Sequence, residues 1–115
     1  MKLRVLALLV LAFPLSGHAQ RLAQLSGAGT VGCGTYLENR RLETPPEWAT
    51  SWVWGYISAY NFFSSYQQIS APDRSTLLAY LDKFCRDHPL DPLAVGTNRL
   101  IGDLGGWRPK AQKSP

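Results

Sequence analysis

Cysteine and histidine are scarce in this 115-residue chain, and neither sign of charge dominates it. It holds two cysteines and two histidines. Only His88 lies beyond the first 19 residues. One imidazole and two thiols leave a zinc or copper site short of ligands. Cys33 and Cys85 are far too distant in sequence for a C-x-x-C redox motif. Twelve Lys and Arg stand against eight Asp and Glu. That balance gives nucleic acid no basic stripe to follow, and no basic run alternates with aromatics. Past the N-terminus no apolar run approaches the ~20 residues a membrane helix needs. There is no internal repeat, and no segment alternates with the period of a strand.

What is present begins with an export signal. Lys2 and Arg4 form a positive start, Val5 to Leu15 an apolar stretch, and Gly17 and Ala19 a small-residue cleavage site. A cut after Ala19 leaves a single domain-sized chain. The expected location is the bacterial periplasm or the medium beyond it. Two lone cysteines in an exported chain predict one disulfide, Cys33 to Cys85. Closing a loop of that length stabilises by roughly 4 kcal/mol.

The remaining pattern predicts a small all-α bundle of about four helices. Residues 20–32, rich in Gly, Ser and Ala, read as a flexible lead-in. The helical domain spans 33–106. Its first helix covers Cys33 to Arg41. Thr44-Pro45-Pro46-Glu47 reads as a capping box opening a helix from Pro45 to about Tyr66. Gly55, in its middle, predicts the close approach of a neighbouring backbone or ring. Asp73 caps a third helix with the stripe Leu77, Leu78, Leu81, Phe84 and Cys85. Asp91-Pro92 opens a fourth, lined by Leu93, Leu100, Ile101 and Leu104, with Arg99 and Asp103 paired outside. Gly105-Gly106 ends it. Residues 107–115 read as a basic tail.

No catalytic constellation emerges. His88 sits at a helix end, where a capping or surface role suits it. Glu38, Glu43 and Glu47 lie in polar helix-end or loop contexts, which suit a solvated face better than acid catalysis. The expectation is therefore no enzyme, no cofactor and no metal. One feature invites a functional reading. Trp48, Trp52, Trp54, Tyr56, Tyr60, Phe62 and Phe63 crowd a single helix. Most serve as core. The excess, Trp54, Phe62 and Phe63, is the candidate partner-binding patch, with a homodimer seam as one form of it.

Cys33-Gly34-Thr35-Tyr36-Leu37 and Phe84-Cys85-Arg86-Asp87-His88-Pro89 resemble the HdeA-like group of small exported bacterial proteins. That group includes dimeric, single-disulfide periplasmic chaperones of acid stress. Trp54-Gly55-Tyr56-Ile57-Ser58 resembles the helix core of Tai-type immunity proteins, which neutralise cell-wall amidase effectors of type VI secretion. Both resemblances imply a helical domain with the Cys33–Cys85 bridge and no catalytic residue. Two functions follow as expectations. One is an exported module that docks a protein partner, inhibitor-like or immunity-like, through its aromatic helix. The alternative is an acid-activated chaperone for unfolded clients. In acid its carboxylates lose their charge, and the remaining positive charge drives the domain open.

Overall fold

The computed structural model describes residues 24–42 and 46–107. The expected export segment and cleavage site, Thr44 and the residues after Trp107 lie outside that range. Four helices follow one another: α1 (Cys33–Arg41), α2 (Glu47–Phe63), α3 (Arg74–Asp87) and α4 (Leu93–Asp103). A short 3-10 helix, Gly27–Thr30, precedes them. Among the described residues the only β pairing is an isolated bridge between Gly32 and Pro92. The all-α class is as the sequence indicates.

α3 shows how the pattern becomes structure. Asp73 accepts from the Thr76 amide at 2.9 Å, satisfying a donor the first turn leaves open. Leu77, Leu78, Leu81, Phe84 and Cys85 are all buried, as their spacing demands. Burying a Leu is worth about 2 kcal/mol. The exposed Lys83–Asp87 pair on the opposite face adds at most a few tenths. The stripe therefore decides where α3 sits. Against it pack Val53 and Ile57 of α2, Tyr36 of α1, and Leu93, Leu100 and Ile101 of α4.

The disulfide is formed. Cys33 and Cys85 bond at 2.05 Å with their Cα atoms 4.8 Å apart, joining α1 to α3 across 52 positions. Beside it lies a polar cluster. The Arg40 guanidinium grips Asp82 with two 2.8 Å hydrogen bonds. The Tyr36 hydroxyl donates to the same carboxylate at 2.9 Å. Burial, then the bond to Asp82, pushes the Tyr36 hydroxyl above the ordinary phenol range, so it stays a donor.

The structure departs from the sequence expectation at several places. From Gly27 on, the lead-in is packed. Gly29 is buried beneath the Trp52 ring, and a Cβ there would overlap that ring. The backbone then pairs with the α3–α4 loop: the Cys33 amide donates to Asp91 O and the Leu93 amide to Val31 O, each at 2.9 Å. That pairing moves the start of α4 one residue on, with Pro92 as its N-cap. α2 begins at Glu47 rather than Pro45. The Glu47 carboxylate pairs with Arg74 of α3, which joins α2 to α3, while Thr44, the other half of the expected capping box, lies outside the described residues. Gly55 is exposed, with nothing within 4 Å of where its Cβ would lie. No close approach explains it.

Candidate functional site

α2 stops at Phe63, short of the expected Tyr66, because Asn61 offers the chain a competing partner. Its side-chain amide donates to Ile69 O at 2.8 Å, and its oxygen accepts from the Ile69 amide at 2.9 Å. Gln68 then covers the open carbonyls of Asn61 and Ser64. Ile69 is buried by this clip. The segment between is forced outward, carrying Tyr66 with it.

The result is an aromatic end that faces solvent. Phe62 is 83% exposed, Phe63 82% and Tyr66 99%. The two Phe rings meet edge to face with centroids 5.1 Å apart. Trp107, 58% exposed, comes beside Phe63 from the segment after α4. Gly105 takes φ +93°, a conformation that favours glycine, and Gly106 donates to Ile101 O at 2.9 Å. This reversal after α4 lets the Trp107 amide donate to the Tyr60 hydroxyl at 3.0 Å. Phe63 and Trp107 thereby line one open groove of about 260 Å³, floored by Tyr60 and Ile101.

The three sequence candidates do not come together. Trp54 is half-buried and donates its indole N–H to Pro72 O at 3.1 Å. At 100° per residue it lies about 80° round the helix from Phe62 and about 180° from Phe63. Its partner is the segment leading into α3, so its ring has a structural job. Tyr66 and Trp107 are the residues sequence reasoning did not single out. The Gly105-Gly106 pair was the available signal for Trp107, since such a turn reverses the chain onto the bundle.

A larger groove, about 570 Å³, runs between α3 and α4 past Phe84, His88, Val95, Asn98 and Arg99. Much of its polar chemistry is turned inward. His88 caps α3, stacks on Phe84 at 4.6 Å and contacts Phe84 O through Nδ1 at 3.1 Å. Its Nε2 lies 3.1 Å from the Arg99 guanidinium, a donor only, so this nitrogen accepts. Arg99 thus reaches His88 across the groove. Tyr80 donates to Asp103 at 2.7 Å, and Lys83 holds Asp87, keeping that carboxyl below its usual range. No group of three His, Cys, Asp or Glu among the described residues is placed to hold a metal ion. Glu38 pairs with Arg41 on the exposed face of α1, and Glu43 lies outside the described residues.

No protein-family model, curated protein or solved structure matches this chain.

Proposed function

We propose that this chain is an exported, non-catalytic binding module of the bacterial envelope. It acts by docking through the aromatic end of α2, where Phe62, Phe63, Tyr66 and Trp107 stand exposed. A relation to the HdeA-like and Tai-type proteins is part of the proposal and rests on the cysteine-flanking motifs and the Trp54–Ser58 segment. The observation that carries the docking reading is the near-full exposure of Phe62 and Phe63 at the end of an otherwise anchored helix. A single exposed apolar residue is ordinary, whereas Phe62 packed on Phe63, with Trp107 lining the same groove as Phe63, makes a larger exposed apolar surface of the kind that marks an interaction site. The Cys33–Cys85 bridge supports an oxidising compartment. Among the described residues no helix is long and apolar enough to cross a membrane.

The test compares the protein with its Phe62→Ser/Phe63→Ser variant in cross-linking to envelope components. Docking predicts a defined adduct with the parent protein and its loss in the variant. Equal cross-linking by both would remove the site assignment.

A further inference from the structure

The groove between α3 and α4 holds two charges of opposite sign that the chain leaves unmatched. Asp91 and Arg99 both line it, and among the described residues neither forms an ion pair. The other charges along it are engaged. Lys83 holds Asp87, and the Asp103 carboxylate accepts from Tyr80. Arg99 is nevertheless fixed in place. Its guanidinium donates to His88 Nε2 at 3.1 Å, and the His88 ring stacks on Phe84 at 4.6 Å. An uncharged acceptor positions the cation without cancelling its charge, whereas a carboxylate would do both. The remaining N–H groups of the Arg99 fork have no partner among the described residues. Beside it the Asn98 oxygen accepts from the Tyr56 hydroxyl at 2.9 Å, which leaves its amide nitrogen as a further donor. The floor is apolar. The Phe84 ring is seated against α4 where Gly96 has no Cβ to meet it, and Val95 flanks it.

We propose that this groove binds a small zwitterion with an apolar side chain, of the amino-acid or short-peptide class. Its carboxylate takes the open side of the Arg99 fork, with Asn98 as second donor. Its ammonium lies toward Asp91, and its side chain covers Phe84 and Val95. The volume of about 570 Å³ is within the range of small-molecule sites. An anion alone meets the like charge of Asp91, and a cation alone that of Arg99. A molecule carrying both charges gains at each end and loses at neither. The groove opens to solvent, so binding is reversible and roughly millimolar. The site uses none of Phe62, Phe63, Tyr66 and Trp107, so it stands or falls apart from the docking reading.

The test is an amide-resolved NMR titration of the oxidised protein with four probes. Free phenylalanine and the dipeptide phenylalanyl-alanine carry both charges. Phenylalanine amide lacks the carboxylate, and N-acetylphenylalanine lacks the ammonium. Both zwitterions are expected to give saturable shifts at Asn98, Arg99 and the His88 ring, and the tighter of the two tells a free amino acid from a peptide as the source. Each single-charge probe is expected to bind at least tenfold more weakly, the loss of one charge-assisted contact. Arg99→Gln is expected to abolish the preference for phenylalanine over its amide. Asp91→Asn is expected to abolish the preference over N-acetylphenylalanine. Unshifted amides elsewhere report an intact fold in both variants. Absence of saturable shifts in the groove with either zwitterion at about ten times the expected dissociation constant overturns the assignment. So does equal binding of the single-charge probes, a comparison made on the parent protein that holds even if a variant does not fold. A preference that survives in both variants overturns the roles of Arg99 and Asp91 and with them the site.

Discussion

The two ends of α2 carry similar side chains and treat them in opposite ways. At the N-terminal end each indole has an assigned neighbour. Trp48 meets Tyr36 edge to face at 6.5 Å. Trp52 stacks on Tyr56 at 5.0 Å, covers Gly29 and donates to Ser26 O at 2.9 Å. Trp54 donates to Pro72 O. At the C-terminal end Phe62 and Phe63 have mainly each other. The difference is not in the rings but in what the rest of the chain brings to them. The 3-10 helix, α1 and the approach to α3 converge on the first three turns. The loop clipped by Asn61 turns away from the last.

The comparison breaks most easily at Gly29. A methyl group there would intrude on the Trp52 ring, and overpacking of this kind costs about 1 to 3 kcal/mol. Gly29→Ala should lower stability by about 2 kcal/mol in urea unfolding, with the Trp52 surroundings disturbed in near-ultraviolet dichroism. A cost under ~0.5 kcal/mol, the range of ordinary surface changes, would mean that the anchored end is held no better than the exposed one.

Acid should loosen the anchored end by a second route. Trp48 leans on Tyr36, and Tyr36 is held by Asp82. The hydrogen bond from Arg40, opposed by burial and aided by Tyr36, keeps the Asp82 carboxyl below its usual range. A folded-state pKa lowered in this way contributes stability above the ordinary carboxylate value of ~3.9, and loses it as pH falls through the lowered value. Unfolding midpoints followed from neutral pH to about pH 3 should therefore fall at the acid end. Asp82→Asn should cost about 1 to 2 kcal/mol at neutral pH and flatten that acid limb. An unchanged limb would place the acid sensitivity elsewhere.

How much of this was legible in the sequence depended on whether the cause was local. α3 was legible because its apolar spacing and the Asp73 cap lie within one segment. The pairing of Cys33 with Cys85 was legible because the chain holds no other cysteine. The fate of Trp54 was not legible, since Pro72 becomes its acceptor only once the loop has folded back. The end of α2 was missed for a similar reason: an Asn61 side chain that bonds Ile69 looks like any other helical Asn. The segment before Cys33 reads as loose because glycine in sequence looks the same whether it serves flexibility or close packing. Gly29 is there to admit a ring.

Gly55 marks the border between the two ends and gives a smaller effect of opposite sign. It lies mid-helix, exposed, without positive φ and with open space at its Cβ position. Gly55→Ala should stabilise by about 0.5 to 1 kcal/mol by restricting the unfolded chain and favouring helix. A loss would reveal a neighbour that needs the space, such as a docked partner in the assay.

The smallest effect is expected where the docking reading places the most weight. Phe62 and Phe63 bury little in the folded chain, so removing their rings deprives the core of almost nothing. Phe62→Ser/Phe63→Ser should change the urea midpoint by less than ~0.5 kcal/mol equivalent, the range of ordinary surface substitutions. Two large rings that contribute so little to the fold, yet remain exposed to water, are explained by a surface met outside it. If their loss instead costs as much as Gly29→Ala, the two ends of α2 are alike, and the rings belong to the core of a larger assembly of this chain.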